Sequence, residues 1–280
     1  MAIAGLFVLL WSTGFIGTKV GLPYAEPFTF LLVRFWIVAA LMLVIAIVTR
    51  ASWPKTWHEA AHTAVAGLLI HAVFLSGVFS SIYYGIPAGV TALVVGLQPL
   101  LTATVVGPLL GEKVSPRQWL GFVLGLAGVT LVLLKKLSFD ISDISGLLYC
   151  GAALLGITAG TLYQKKYSSF MDLRSGTVIQ YVAAGVAMVF LAELTETMKI
   201  TWSWEFIVAL LWLSVLLSVG AVTLLFVLIR RGKASEVASL FYLVPPCTAL
   251  IAYFMFGETL GPFALLGMGI AVVGVALVNR

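Results

Sequence analysis

Long apolar runs alternate with short polar punctuation almost from one end of this chain to the other. A helix needs ~20 mostly apolar residues to cross a hydrocarbon core, and the runs have that length rather than the length of strands. They predict ten spans: Ala2 to Gly21, Pro27 to Val48, Ala64 to Tyr84, Ala88 to Leu110, Pro116 to Leu134, Ser145 to Gln164, Ser175 to Leu194, Trp204 to Ile229, Ala234 to Phe256 and Pro262 to Val278. The third and fourth are divided at "YYGIPAG", because the stretch from Ala64 to Leu110 is too long for one crossing and Gly85 and Pro87 break a helix. The fold class this predicts is an all-α integral membrane protein.

Part of the pattern occurs twice. "QPLLTATVVGPLLGEK", Gln98 to Lys113, returns as "PPCTALIAYFMFGET", Pro245 to Thr259. Its continuation "LGFVLGLAGVTLV" returns as "LGMGIAVVGVALV", with six of thirteen positions identical. A shift of 146 carries Gly111-Glu112 onto Gly257-Glu258, Gly121 onto Gly267 and Gly128 onto Gly274, and a shift of 147 carries Pro99 onto Pro246. The chain therefore reads as two homologous halves, 1–137 and 138–280. Each holds five spans, an odd number, so the second must enter the membrane from the opposite side, which makes the halves inverted repeats. Secondary transporters are often built this way, with a site near the midplane between two halves that rearrange to expose either side.

Composition sharpens the class. Of 280 residues, 61% are hydrophobic and only 10% charged, against about 25% charged in a soluble domain. The net charge of +5 then reads as topology rather than nucleic-acid binding. With both termini on the cytoplasmic side, eleven Lys and Arg fall on inner segments and four on outer ones, as positive residues prefer. The first run lacks a basic n-region and a small-residue cleavage site, so it reads as a retained helix. Cys150 and Cys247 lie inside predicted helices and form no disulfide framework, and no histidine has metal spacing although His58 and His62 are four apart. Neither a metal nor a cofactor is expected.

Glycine and proline separate scaffold from cavity wall. Gly121, Gly125 and Gly128 in the fifth span, with Gly267, Gly269 and Gly274 in the tenth, make small-residue stripes that allow close packing. Pro99, Pro245 and Pro246 remove backbone donors within the fourth and ninth spans, which membranes tolerate where protein or water satisfies the freed carbonyls. These prolines are candidate hinges.

"LLWSTGFIGTKVGL", "FLLVRFW", the segment from "YYGIPAG" to "LGFVLGLAGV" and the segment from "RRGKASEVASLFYLVPPCTALIAYFMFGET" to "LGMGIAVVGVALV" resemble the EamA branch of the drug/metabolite transporter superfamily over essentially the whole chain. The resemblance implies ten helices in inverted five-helix repeats, export of small metabolites, and a central cavity between helices one, three, four, six, eight and nine. Within the branch, the chain is similar to the YddG-type exporters of aromatic and other amino acids. Many relatives carry Glu-Pro in the middle of helices four and nine, where this chain has Gln98-Pro99 and Pro245-Pro246. Carboxylate chemistry is thus absent at those positions.

No predicted span carries Asp or Glu near its centre, which argues against a buried carboxylate exchanging protons for cationic drugs. His71 is the near-neutral titrating group within a span. Arg34 lies two turns into the second span, ~11 Å by helical rise, where it reads as snorkelling or pairing with Glu26 or Glu258 ahead of contact with substrate. Glu112 and Glu258 stand at span ends and read as caps or gate contacts. What remains is a neutral, aromatic and polar set: Trp11, Ser12, Thr13, His71, Tyr83, Tyr84, Gln98, Tyr163, Gln164, Phe241 and Tyr242. Such side chains suit an amphipathic, zwitterionic solute, because hydroxyls and amides orient its polar groups while rings pack its apolar part.

These readings predict a secondary exporter of amino acids or similar small metabolites in a bacterial-type inner membrane, working by alternating access, with a small-molecule substrate and the lipid bilayer as partners, no nucleic acid, and the oligomeric state left open. No Walker-type phosphate loop occurs. Purines or drugs are alternative substrates. A passive channel and an intramembrane enzyme are the other classes, the second lacking any clustered nucleophile, base or metal-ligand set.

Overall fold

The computed structural model describes residues 2–86, 88–133, 144–256 and 261–279. Glu258, a candidate gate residue, lies outside them. The described chain is helical, in ten helices that follow the predicted spans. These are α1 Ala2–Gly21, α2 Pro27–Val48, α3 Trp57–Tyr83, α4 in two pieces Ala88–Val95 and Gln98–Leu110, α5 Pro116–Leu133, α6 Ile144–Ser168, α7 Leu173–Thr195, α8 Trp204–Arg231, α9 in three pieces Ala234–Ser239, Leu240–Leu243 and Val244–Phe256, and α10 Pro262–Val278. Six of them, α1, α2, α3, α6, α7 and α8, are long and apolar enough to cross a membrane on their own. The third helix begins at Trp57 rather than Ala64, because the Thr56 hydroxyl caps the Glu59 amide at 3.2 Å and starts it early. The turn expected at "YYGIPAG" is built on Gly85, whose φ of +86° suits a residue without a Cβ.

Pro99, Pro245 and Pro246, the candidate hinges of α4 and α9, do not sit inside uninterrupted α-helices. Both helices break and restart. In α4 the Leu97 amide turns back to the Val94 carbonyl at 3.0 Å, and Pro99 then stands in the first turn of the next piece, where a missing N–H costs nothing. In α9 a 3-10 turn, Leu240–Leu243, precedes a piece that opens with Val244, Pro245 and Pro246. Three other helices widen instead: α3 over Leu68–Val73, α6 over Gln164–Ser168 and α8 over Trp212–Ala221 take the π form, which often marks functional positions.

Helices pack in antiparallel pairs. The α7 end reaches the α2 start, where Glu196 Oε1 accepts from the Phe28 amide at 2.7 Å and Oε2 from the Thr29 amide at 2.6 Å, while Glu26 accepts from the Thr197 amide at 2.7 Å. At the other end of the pair, Arg174 donates to the Thr49 carbonyl at 3.1 Å. That end is the basic side of the bundle: there too Lys165 donates to the Ile229 and Gly232 carbonyls at 2.7 and 2.6 Å, and Glu112 accepts from the Ala234 amide at 2.9 Å. Helices α5 and α10 meet through glycine. A Cβ on Gly121 would lie 2.7 Å from the Gly274 carbonyl oxygen, and one on Gly128 would lie 2.6 Å from that of Gly267. Gly160 of α6 sits against Ile70 of α3, and Gly14 of α1 against Leu217 of α8, each too close for a Cβ.

Candidate functional site

A central cavity, with about 480 Å³ of empty space counting its mouth, lies between α1, α2, α3 and α8. The space open to the centre of a water molecule is only about 30 Å³, so in this conformation the cavity is narrow and largely filled by its own side chains. Trp11, Phe15, Phe74 and Phe79 give its walls an aromatic character, and Arg34, His71 and Thr18 are its polar members. Trp11 stacks on Phe74 with centroids 6.1 Å apart and meets Phe241 of α9 edge-on at 5.3 Å. Phe241 packs equally on Phe7, at 5.5 Å, so this ring cluster stands between α9 and the cavity. That is why α9 contributes no wall among the described residues, although the family resemblance implies one. Among the described residues α4 and α6 likewise contribute none: Gln98 of α4 turns to Thr161 of α6, its Nε2 donating at 3.4 Å, and both are buried in that seam.

Arg34 is buried to 1% exposure and does not pair with Glu26. Its Nε donates to Ser218 Oγ at 3.1 Å, and Ser218 in turn donates to the Leu213 carbonyl at 3.1 Å. Among the described residues this is its one hydrogen bond, and no carboxylate there lies within ion-pair distance. Placing an arginine at the centre of a membrane helix costs ~2.5–3.5 kcal/mol or more, while a hydrogen bond to a charged group contributes ~1.5–3 kcal/mol. One bond to a hydroxyl leaves most of the guanidinium's five donors unmatched among the described residues, and Arg34 lines the cavity.

The histidine has the matching arrangement. His71 Nε2 lies 3.3 Å from Gln180 Oε1, and Gln180 Nε2 donates to Gln164 Oε1 at 2.8 Å. Because the amide oxygen accepts, the proton belongs on Nε2; Nδ1 is buried without a partner, and the ring stacks on Tyr181 at 4.0 Å. The π turns explain the aim of both groups. His71 sits within Leu68–Val73 and Ser218 within Trp212–Ala221, where the wider turn swings a side chain off the ordinary helical face. Gln180 also borders a smaller pocket of about 180 Å³ toward the basic side, together with Gln164, Asp172 and Arg230.

The other expected residues fall elsewhere. Ser12 ties α1 to α9, its hydroxyl meeting the Val8 and Val244 carbonyls at 2.7 and 3.2 Å. Thr13 accepts from the Trp212 indole at 2.9 Å. Tyr83 and Tyr84 are exposed at the end of α3, and Tyr84 stacks on Tyr149. Tyr163 bonds the His62 ring nitrogen through its hydroxyl at 2.6 Å, and Tyr242 packs over Gly125 between α9 and α5. Pro99, Pro245 and Pro246 are buried in the restarted helices. Glu112 caps the first piece of α9, accepting from the Ala234 and Ser235 amides at 2.9 and 3.4 Å. On the same side Asp172 caps α7; its hydrogen bonds to the Arg174 side chain, at 3.0 and 2.6 Å, hold its carboxyl down at about 2, and the Arg174 and Ser52 amides add to this. Sequence reasoning missed the roles of Ser218 and Gln180. Polar residues inside apolar spans were the available signal, but nothing in the period marked the π turns that aim them.

An all-helical bundle with six helices long and apolar enough to cross a membrane, an aromatic cavity between helices, a buried cation and helices broken at proline fits a polytopic membrane protein of the transporter kind. The chain belongs to the EamA-like transporter family, whose model matches residues 1–134 and 144–280. It is 28% identical over 280 residues to the uncharacterized transporter YvbV of Bacillus subtilis, covering 99% of this chain and 90% of that one. It is 26% identical over 284 residues to the uncharacterized inner membrane transporter YedA of Escherichia coli K12, covering 99% and 89%. A probable amino-acid metabolite efflux pump of Salmonella typhimurium is 25% identical over 282 residues, covering 97% and 92%. A solved crystal structure superposes with a TM-score of 0.82 at 20% identity, over 99% of this chain and 96% of that one, which is a likeness of fold.

Proposed function

We propose that this chain exports amino acids or similar small metabolites across an inner membrane by alternating access through the central cavity. The observation that carries the reading is the cavity itself, an aromatic chamber with one buried cation in the middle of a transporter-family bundle. The amino-acid part draws support from the efflux pump named above and from a probable terminal-alkyne amino-acid exporter of Streptantibioticus cattleyicolor, 23% identical over 281 residues.

The mechanism we infer rests on two inverted repeats, residues 1–137 and 138–280, with both termini on the basic, cytoplasmic side. Contacts that recur under the sequence shift support this. Gly121 meets Gly274 as Gly128 meets Gly267, and Gly14 meets Leu217 as Gly160 meets Ile70. Arg50 and Met198, just beyond the ends of α2 and α7, are the two non-glycine residues with positive φ, +50° and +55°, among the described residues. Broken helices and glycine seams would let the halves change cavity access while α5 and α10 stay locked.

Purified protein in liposomes preloaded with unlabelled solute tests the reading. Saturable counterflow of labelled neutral amino acids is expected, with little for cationic drugs. Unsaturable flux would instead indicate a channel, and movement of purines but no amino acid would overturn the substrate class.

A further inference from the structure

We propose that Arg34 is the carboxylate-binding residue of the central cavity, and that the solute it selects is a monocarboxylate with a bulky apolar, preferably aromatic, side chain. This rests on the reading of the cavity as the transport site. Three observations lead to it. Arg34 is buried, is held through Nε alone by Ser218, and borders the cavity with its terminal nitrogens free of protein partners among the described residues. A guanidinium fixed at Nε presents a planar pair of N–H groups, a geometry that matches the two oxygens of a carboxylate. Among the described residues the lining contains no acidic side chain, so the described cavity has a site for one negative group and none that pairs with a positive one.

The rest of the lining sets the other end of the solute. Trp11 and Phe74, stacked on each other across the α1 and α3 walls, and Phe15 and Phe79 beside them make that end of the cavity aromatic and apolar. An ammonium, where present, has aromatic faces but no carboxylate to meet. The carboxylate is therefore required and the ammonium dispensable. The position also has an internal contrast. Gln180, which follows Arg34 by 146 residues, bonds His71 where Arg34 bonds Ser218, which follows His71 by 147 residues. One bridge is cationic and the other neutral, so a single anionic group has one place to bind.

The test uses the full chain in liposomes and three competitors against labelled phenylalanine counterflow: phenylalanine, 3-phenylpropionate and phenylalaninamide. The expected result is competition by the first two within about threefold of each other, and by the amide at least tenfold more weakly. Arg34→Gln should abolish counterflow, Arg34→Lys should retain part of it, and Ser218→Ala should raise KM several-fold with little change in kcat. The competition series needs no variant, so poor folding of Arg34→Gln leaves the test intact. An amide that competes as well as phenylalanine overturns the assignment while leaving transport standing. Absence of counterflow for every amino acid overturns the amino-acid reading beneath it.

Discussion

Gln180 Oε1 lies 3.3 Å from His71 Nε2 in the middle of the bundle, and the same amide reaches on to Gln164. The bridge joins α7 to α3, and its counterpart under the proposed repeat, Arg34 to Ser218, joins α2 to α8. Each is made by a residue in a straight helix and one in a π turn. Gln180→Leu removes the partner of two buried groups at once. An unsatisfied buried polar group costs ~1–3 kcal/mol, so the detergent-purified variant should melt measurably below wild type. Equal melting temperatures would mean the bond contributes nothing net.

The glycine seam of α5 and α10 gives a test of packing. A Cβ on Gly128 would lie 2.5 Å from the Ala271 amide nitrogen, backbone that cannot swing away, whereas one on Gly269 meets nothing within 4 Å. Overpacking of this kind costs ~1–3 kcal/mol. Gly128→Ala should lower the yield of monodisperse protein and Gly269→Ala should not, as read by size-exclusion chromatography.

Asp172 provides a pH signature. Its carboxyl is held at about 2, below its ordinary 3.8, by hydrogen bonds from Arg174 and backbone amides. A lowered folded-state pKa means that its stabilisation is complete above pH ~5 and is lost as the pH falls through 3.8 toward 2. Asn caps a helix about as well as Asp, so Asp172→Asn removes the charge that the Arg174 guanidinium bonds rather than the cap itself. Asp172→Asn should therefore melt below wild type at pH 7, and the gap should close on acidification into that window. A gap that stayed constant down to pH ~3 would argue against a charged cap.

Trp11 makes the ring wall between α9 and the cavity, so Trp11→Ala should weaken aromatic solutes selectively. Aromatic pairs contribute ~0.5–1.5 kcal/mol, or roughly two- to tenfold in KM. The comparison is counterflow of phenylalanine against alanine in the same liposomes. A similar loss for both would place Trp11 in the scaffold rather than at the solute.

Much of the architecture was legible from periodicity and punctuation. Ten apolar runs became ten helices, and the Gly121–Gly128 and Gly267–Gly274 stripes became the α5–α10 seam, because close packing needs small residues whichever way the helices are rotated. The site was legible only in part. Trp11 and His71 border the cavity, whereas Gln98, Tyr163 and Tyr242 have their partners in helix seams. Arg34 read as a snorkelling or paired cation, since depth along a helix says nothing about whether a carboxylate stands opposite.

The sequence by itself determined the membrane class, the helix count and the breaks at proline, because each depends on local hydropathy or on a missing backbone donor. Only the tertiary structure decided which polar residues face each other. A rotation of one helix by a fraction of a turn moves Gln98 from a cavity to a seam, and a π turn moves Ser218 under Arg34. Those rotations are set by the summed packing of ten helices, which no local pattern encodes.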